Sequence, residues 1–395
     1  MAISKKIEKA LEGASWIRKM FEEGGRLKRM YGPEKVFDFS LGNPIAEPPQ
    51  EFFKELRRVA NDPIPGMCRY MSNSGYEDTR KSIASMLSEE TGLSFTEQQI
   101  IMSTGAAGGL NIALKSILDP GDEVITPSPY FVEYRFYVDN HGGILKLVET
   151  RDDFSLDLEA IERAIGKKTK AILINSPHNP TGVVYSNKSL INLGEILARR
   201  SEQYGKTLFL LCDEAYKKIV YDHVKLPDVF SVYDHCIAVN SHSKDLSIPG
   251  ERIGYVAISP LAEGKEKLAD AMSFTIRTLG FVNAPALMQR LVGRLRHVSV
   301  DISEYQEKRD LFYNALVDFG YSVVKPMGAF YLFPRCPIDD DVAFVRSLQA
   351  KNILTVPGSG FGRPGNIRIA YCVEKWVIEA SLPGFRELAI EYGVK

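Results

Sequence analysis

Features that would place the chain in a specialised class of protein are missing from its sequence. No run of about 18 apolar residues occurs, so we expect no membrane span. Residues 1–28 mix Lys, Glu and Arg and lack the continuous apolar stretch of a signal peptide. The 49 Lys and Arg residues balance 50 Asp and Glu residues, so no excess of positive charge favours nucleic acid or an anionic membrane as a partner.

Cysteine is scarce, and its spacing does not suggest metal binding. The five cysteines are Cys68, Cys212, Cys236, Cys336 and Cys372. No two of them form a CxxC pair, which argues against a zinc ribbon and a thioredoxin-type motif, and we expect no metal site. An odd, scattered set suits a reducing compartment better than a disulfide framework, so we expect a cytoplasmic protein.

Apolar runs alternate with helical patterns through the middle of the chain. The runs are Ile100–Ser103, Glu123–Thr126, Ala171–Asn175, Thr207–Cys212, Cys236–Asn240 and Ile253–Ile258. Amphipathic segments lie between them at Leu110–Leu118, Leu156–Ile165 and Leu190–Tyr204. Short, continuous apolar runs separated by helices predict an α/β protein whose mainly parallel sheet is covered on both faces.

The two ends of the chain follow a different pattern. Residues 1–31 are predicted to be helical. Residues 286–395 mix predicted helices with short predicted strands at Tyr321–Val324, Phe330–Phe333, Ile353–Val356 and Asn366–Ala370. The helices predicted there are Glu304–Phe319, Asp341–Lys351 and Trp376–Tyr392. We therefore expect a large domain over residues 45–285 and a smaller α+β domain built from residues 1–44 and 286–395.

Polar and small residues follow several of the apolar runs. Ligands of parallel sheets bind at the carboxyl ends of the strands, so these positions are candidate site residues. The first run leads into small residues at 104–109 and then a helix, an arrangement that suits a phosphate. The second run leads into aromatic residues that could stack on a flat ring, and the third into a polar loop containing Asn179.

Ionisable residues follow the fourth and fifth runs. Asp213 closes a buried strand, where its pKa should rise unless a partner such as a cationic ring nitrogen is present. Tyr216 follows three residues later. Lys244 follows the fifth run, so its amine is expected to be shielded from water at the end of a buried strand. Lysines that form Schiff bases need a desolvated amine. A turn, core packing or a surface lysine would explain each feature alone, whereas pyridoxal phosphate (PLP) would use all of them together.

Three motifs resemble those of the class I/II aminotransferases, which are fold-type I PLP enzymes. The segment from Ser241 to Tyr255 is similar to the family signature SxSKxxxxxGxRxG. The sequences HNPTG at 178–182 and DEAY at 213–216 also resemble family motifs. The similarity runs from about residue 35 to the C-terminus. It implies a mainly parallel, seven-stranded sheet in the large domain and an enzyme that transfers an amino group.

The resemblance also implies roles for individual residues. Lys244 would form the internal aldimine with PLP and shuttle the proton, while Asp213 would keep the pyridine nitrogen protonated. Tyr216 and Asn179 would bond the 3′-oxygen of PLP, and Phe131 would stack on its ring. The phosphate would be bound by Gly105, Ala106, Ala107, Ser241 and Arg252. Because Ala106 and Ala107 stand where many members carry polar side chains, phosphate binding would depend more on the backbone.

The implied substrates are an L-amino acid and a 2-oxo acid, with 2-oxoglutarate as the expected acceptor in a ping-pong reaction. Arg368 would bind the α-carboxylate of the substrate, and Gly42 would lie against it. Tyr70 resembles a tyrosine that reaches the phosphate of the neighbouring subunit, which implies a homodimer with shared sites. Arg277 lies near a position that supplies a second cation in aspartate-type members, which makes aspartate or another dicarboxylate the expected amino donor; a solvent-facing arginine on a helix is the alternative.

Three alternative functions stay open at this point. A C–S lyase or decarboxylase of the same fold would use the same cofactor residues. An NAD-dependent oxidoreductase finds support only in the glycines at 358, 360 and 362, followed by Arg363 where a dinucleotide motif requires glycine. A non-catalytic regulatory domain would normally carry a DNA-binding module, and residues 1–31 are too few for one.

Overall fold

The computed structural model describes residues 3–12, 16–63 and 65–394. Its helices are α1 Lys5–Glu12, α2 Trp16–Tyr31, α3 Gln50–Asn61, α4 Glu77–Thr91, α5 Gly105–Ile117, α6 Glu133–Asp139, α7 Leu158–Ala164, α8 Asn187–Tyr204, α9 Val229–Val232, α10 His242–Asp245, α11 Lys265–Thr278, α12 Ala286–Val292, α13 Ser303–Asp318, α14 Asp341–Gln349 and α15 Lys375–Glu391. Its strands are β1 Phe37–Asp38, β2 Ile100–Ser103, β3 Glu123–Ser128, β4 Ile144–Glu149, β5 Thr169–Asn175, β6 Phe209–Asp213, β7 Cys236–Ser241, β8 Gly254–Ile258, β9 Tyr331–Leu332, β10 Ile353–Leu354, β11 Val356–Pro357 and β12 Ile367–Ala370.

A seven-stranded sheet forms the centre of the molecule, with the strand order β2-β8-β7-β6-β5-β3-β4. Its inner strands are buried along their length, which explains why they appear in the sequence as continuous apolar runs. Two large groups of apolar side chains form the core on either side of the sheet. The predicted α/β class with a mainly parallel sheet is confirmed.

One strand of this sheet runs against the others. β8 is antiparallel to both of its neighbours, β7 and β2. Its first residues therefore lie at the sheet edge where the other strands have their carboxyl ends. This reversal brings Arg252, which precedes β8 in the chain, to the same edge as residues that follow the parallel strands.

Strand β4 at the sheet edge has no counterpart among the predicted strands. It pairs in parallel with β3 alone, and most of its side chains are partly or fully exposed. Lys146 interrupts its apolar sequence, so it lacks the continuous apolar run by which the buried strands were found. Exposure at the edge removes the need for such a run.

The remaining strands form two small sheets, one with a strand from each end of the chain and one from the C-terminal part alone. β1 pairs with β10, and β12 lies between β11 and β9. The predicted strand at Tyr321–Val324 is wrong, because these residues follow α13 without forming a ladder. Of the predicted N-terminal helix, residues 1–2 and 13–15 lie outside the described part of the chain.

The division into two domains stays a prediction, and packing suggests where its boundary lies. Met288 and Leu291 of α12 belong to the same core group as Phe52 of α3 and Ile83 of α4. We therefore propose that the large domain extends past residue 285, through α12.

Among the described residues, no helix is long and apolar enough to cross a membrane.

Candidate active site

A cavity of about 280 Å³ opens at the edge of the sheet where the parallel strands end. Eleven of the predicted site residues line it: Gly42, Ala106, Ala107, Phe131, Asn179, Asp213, Tyr216, Ser241, Lys244, Arg252 and Arg368. These residues come from segments spread over more than 300 positions of the chain. The fold thus gathers at one place the side chains that were selected from separate strand ends.

Lys244 lies in the short helix α10, directly after β7, and its side chain reaches into the cavity. Its Nζ donates a hydrogen bond to the carbonyl oxygen of Gly42 at 2.7 Å. Burial lowers the pKa of Lys244 to about 8, and the nearby guanidinium groups of Arg368 and Arg252 act in the same direction. Near neutral pH a useful fraction of this amine is uncharged, the form that attacks a carbonyl carbon.

Asp213 closes β6 and is also buried. Burial raises the pKa of Asp213 above the ordinary value of a carboxyl group, which is the direction expected where no cationic partner is present. Hydrogen bonds oppose the rise: the Tyr134 hydroxyl donates to Oδ2 at 2.7 Å, and the Ala215 amide donates to Oδ1 at 3.1 Å. Asn175 fixes the backbone beside it, since its Nδ2 donates to the Asp213 carbonyl oxygen at 2.8 Å. Asp213 is therefore a fixed acceptor facing the cavity.

Tyr216 meets a residue that the sequence did not suggest. Its hydroxyl lies 2.8 Å from the hydroxyl of Tyr331, and both rings are buried. A Cβ atom on Gly42 would lie 2.0 Å from the Tyr331 hydroxyl oxygen, so only glycine fits at that position. Burial raises the pKa of Tyr331 to about 12, so its hydroxyl stays protonated at neutral pH. Two neutral tyrosines thus line the wall beside Lys244.

Arg368 is a buried cation on β12, with only 2% of its surface exposed. Its Nη2 donates to the Ser40 carbonyl oxygen at 2.5 Å and its Nη1 to Asn179 Oδ1 at 3.2 Å. Tyr331 and Phe361 pack their rings near its guanidinium. Among the described residues it has no carboxylate partner, and its Nε makes no hydrogen bond. A buried arginine without an anion suits an anionic ligand.

Asn179 is held in place by its neighbours. Its backbone amide donates to Asn175 Oδ1 at 2.7 Å, while its side chain accepts from Arg368. His178 lies 2.7 Å from the Thr181 hydroxyl through Nδ1, and burial lowers its pKa to about 3. A neutral histidine therefore braces the loop, and Asn179 faces the cavity from a rigid segment.

The start of α5 forms the opposite end of the cavity. Gly105 has a φ of 72°, and a Cβ atom there would lie 3.0 Å from Arg252 Nη2. The first amides of a helix have no partner inside it, so those near Ala106 and Ala107 are free to bind an anion. Arg252 itself has a φ of 51°, a strained conformation for a non-glycine residue.

Two hydroxyl groups lie at this end of the cavity. Ser241 accepts a hydrogen bond from the Ser243 amide and lies 2.8 Å from the Ser243 hydroxyl. Both serines line the cavity with Arg252. Amides, hydroxyls and a guanidinium together make a set of donors that fits a phosphate group, so these residues fit the phosphate of PLP.

Three predicted site residues do not line the cavity of this chain. Gly105 begins α5 directly before the lining residue Ala106, whereas Tyr70 and Arg277 lie outside the cavity. Tyr70 has 88% of its surface exposed, and Arg277 lies exposed at the end of α11 with its guanidinium over the ring of Phe274. Both were predicted to act across a subunit boundary, and their roles stay predictions. The Asn73 side chain donates to the Val282 carbonyl oxygen at 2.6 Å, so the segments carrying Tyr70 and Arg277 are adjacent.

The structure adds residues that the sequence analysis did not select. The cavity is also lined by Leu41, Leu110, Tyr137, Asn175, Ala215, Ser243, Pro249 and Tyr331. Asn175 carried a usable signal, since it is the last residue of a predicted buried strand. Tyr331 carried none, because its position depends on contacts with residues more than 100 positions away.

The glycines at 358–362 do not form a dinucleotide-binding turn. Gly358–Phe361 is a short 3-10 helix that follows β11, which pairs in antiparallel fashion with β12. A dinucleotide site requires a parallel strand, a glycine turn and a helix in succession. The alternative of an NAD-dependent oxidoreductase is therefore wrong.

Comparison with known proteins places the chain in a family. The family described as "Aminotransferase class I and II" matches residues 34–380. The chain belongs to this family. Its members depend on PLP, so the protein is a PLP-dependent aminotransferase, as the resemblance implied. The cavity residues described above fit that cofactor.

Relatives and solved structures agree with this family. A probable aspartate aminotransferase of Methanocaldococcus jannaschii is 33% identical over 359 residues, which cover 89% of this chain and 92% of the relative. A crystal structure of an aminotransferase from Eubacterium rectale is 37% identical, covers 99% of both chains and has a TM-score of 0.96. The aspartate aminotransferase from Thermus thermophilus with maleate is 26% identical, covers 98% of this chain and all of the other, and has a TM-score of 0.86.

The lowered pKa of Lys244 leads to a pH-dependent prediction. Only the neutral amine reacts with amine-selective reagents, so labelling of Lys244 in the cofactor-free protein should rise steeply around pH 8. Lys81 is a suitable control, because its ion pair with Glu77 raises its pKa and keeps it protonated there. Mass spectrometry of peptides labelled at a series of pH values measures both. Labelling of Lys244 that rises only together with Lys81 would contradict the lowered pKa.

Proposed function

We propose that the protein transfers the amino group of aspartate, or of a closely related dicarboxylic amino acid, to 2-oxoglutarate in a ping-pong reaction. One observation carries the proposal: a buried arginine without an anionic partner among the described residues and a half-buried lysine line the same cavity. The arginine supplies the site for a carboxylate and the lysine the site for cofactor chemistry. An α-amino acid and a 2-oxo acid both present a carboxylate beside the reacting carbon.

The residues of the cavity divide between cofactor and substrate. When bound, PLP acts as an electron sink for the bond-breaking step next to the amino group. Asp213 would hold a proton on the ring nitrogen, and Tyr216 and Asn179 would donate to the ring oxygen. The first turn of α5, with Ser241 and Arg252, would hold the phosphate. Phe131 lies at the cavity wall, where its ring would stack on the cofactor.

Two residues would act directly on the substrate. Arg368 would bind the α-carboxylate through two parallel N–H groups, which orients the substrate as well as holding it. Lys244 would carry the cofactor and then, once displaced by the substrate, move the proton from the α-carbon. Its pKa of about 8 suits both tasks, since the amine must lose and regain a proton near neutral pH.

Preference for a dicarboxylic donor needs a further cation. Among the described residues, the cations lining the cavity are Lys244, Arg252 and Arg368, and each already has a role. We propose that Arg277 of a second subunit binds the distal carboxylate. Relatives of about 30% identity are named aspartate aminotransferases, and the structural relative from Thermus thermophilus was solved with maleate, a dicarboxylate. These names support the proposed donor.

The proposed assembly is a homodimer with shared sites. The exposed side chains of Tyr70, Phe274 and Phe281 include much apolar surface, and the contact of Asn73 with Val282 brings their segments together. A second subunit would cover these rings and receive Tyr70 at the phosphate end of its own cavity.

We also propose a cytoplasmic location for the protein. The odd, scattered set of cysteines supports this location.

The proposed reaction is tested by a panel of amino donors. Purified holoenzyme with 2-oxoglutarate should form glutamate fastest from aspartate and should consume the two substrates in equal amounts. A lyase or decarboxylase would release pyruvate, ammonia or CO₂ without consuming 2-oxoglutarate. Loss of donor without formation of glutamate would contradict amino transfer.

The role of Arg277 is tested by donor preference. Losing a charge-paired contact to a buried carboxylate costs about 2 kcal/mol or more, so Arg277→Ala should lower kcat/KM for aspartate by roughly thirtyfold or more. Values for alanine and phenylalanine should change little. Arg151→Ala, at an exposed arginine paired with Glu159, is the matched control. Equal losses for all donors, or none, would remove Arg277 from the site.

Shared sites are tested by mixing two inactive variants. Tyr70→Ala and Lys244→Ala subunits should together regain activity, since a heterodimer would contain one site with both native residues. At most about a quarter of native activity is expected from random pairing. A protein that sediments as a monomer at all concentrations, or mixtures that stay inactive although heterodimers form, would refute the shared site.

A further inference from the structure

Tyr134 lies behind the cavity wall, and its hydroxyl is committed to Asp213. The residue belongs to α6, and only 1% of its surface is exposed. Its hydroxyl donates to Asp213 Oδ2 at 2.7 Å, while the Ala215 amide occupies Oδ1. Burial and this hydrogen bond keep Tyr134 from contacting a substrate side chain.

The ring of Tyr134 has a separate contact. It meets the ring of Phe131 edge to face, with 5.6 Å between the centroids and 86° between the planes. One side chain therefore supports Phe131 through its ring and Asp213 through its hydroxyl. Substitution by phenylalanine keeps the first contact and removes the second, which allows the hydroxyl to be tested alone.

The tyrosines and the cysteine beside Asp213 stay uncharged over the neutral pH range, whereas Lys244, Arg252 and Arg368 are cationic groups that share its cavity. Tyr134 and Tyr137 of α6, Tyr216 and Cys212 all have a pKa raised above the ordinary value, mainly by burial. Tyr134 thus remains a hydrogen-bond donor wherever the enzyme works. A donor on Oδ2 stabilises the carboxylate and lowers its affinity for a proton, against the effect of burial.

We propose that Tyr134 is a positioning residue whose hydroxyl keeps the proton on the cofactor ring nitrogen by making Asp213 a weaker base. The proposal rests on Asp213 facing that nitrogen, as proposed above. Asp213 and the nitrogen compete for one proton. Without the Tyr134 hydrogen bond, the proton moves from nitrogen to Asp213 Oδ, which leaves a neutral ring and a neutral carboxylic acid. A neutral ring is the weaker electron sink.

The test measures the protonation of the ring nitrogen directly. Holoenzyme reconstituted with ¹⁵N-labelled PLP reports protonation through its ¹⁵N chemical shift, without any turnover. In Tyr134→Phe the resonance should move from the value of a protonated pyridine towards that of a neutral one. Hydrogen bonds to charged acceptors suggest a change of about one pKa unit in the proton affinity of Asp213. In steady-state assays kcat should fall on the order of tenfold, with a smaller change in KM.

Tyr321→Phe is the matched control, because the Tyr321 hydroxyl is buried and donates to the Phe385 carbonyl oxygen at 2.9 Å, away from the cavity. It should leave the ¹⁵N shift unchanged. Replacement of Tyr134 by 3-fluorotyrosine supplies a stronger donor and should keep the ring fully protonated, even if the phenylalanine variant folds poorly.

An unchanged ¹⁵N shift in Tyr134→Phe, or equal shifts in both phenylalanine variants, would overturn the proposal. Because the measurement needs bound PLP but no amino transfer, its outcome is separate from that of the donor panel. A normal ring-nitrogen response with no glutamate formed would count against the proposed reaction only.

Discussion

The burial of ionisable groups at one edge of the sheet is the constraint on which the rest of this structure depends. Moving a charge out of water costs several kcal/mol unless polar groups replace the water. Asp213 and Arg368 are buried at this edge and Lys244 is half-buried, and the three groups differ in how their charge is accommodated. The amine loses basicity, the carboxyl accepts hydrogen bonds from two donors, and the arginine is surrounded by one carbonyl oxygen, the side-chain amide of Asn179 and two aromatic rings. These responses produce an amine of lowered basicity, a fixed acceptor and an arginine without an anionic partner in the described part of the chain, which are the groups that the proposed reaction would use.

A rigid scaffold has to hold these groups, because a mobile segment would admit water and remove the effect of burial. The parallel strands supply part of it, since β6 and β7 end side by side and place Asp213 near Lys244. A chain of amides supplies another part: Asn175 binds the Asp213 backbone and the Asn179 amide, and Asn179 in turn accepts from Arg368. The antiparallel direction of β8 then places Arg252 at the same edge of the sheet. One hydrogen-bond network therefore links Asp213, which is proposed to face the cofactor, with Arg368, which is proposed to bind the substrate.

Features of the fold and the site could be predicted when they depend on residues close together in the sequence, and not when they depend on contacts between distant residues. Buried strands are continuous apolar runs, so six of the seven central strands and the polar residues after them were found. β4 was missed because an exposed edge strand needs no such run, and Tyr321–Val324 was apolar for reasons of core packing without a partner strand. Tyr134 and Tyr331 were not assigned their contacts, since their partners lie 79 and 115 positions away. Tyr70 and Arg277 depend on a second chain, and their roles stay predictions.

The most direct test of the central claim is to locate the covalently bound cofactor. Reduction of the holoenzyme with borohydride converts the imine of PLP and a lysine into a stable amine, and proteolysis with mass spectrometry identifies the modified residue. The burial of Lys244 between Gly42 and the rings of Tyr216 and Phe330 predicts a single pyridoxyl group on Lys244. A pyridoxyl group on any other lysine, with Lys244 unmodified, would contradict the account.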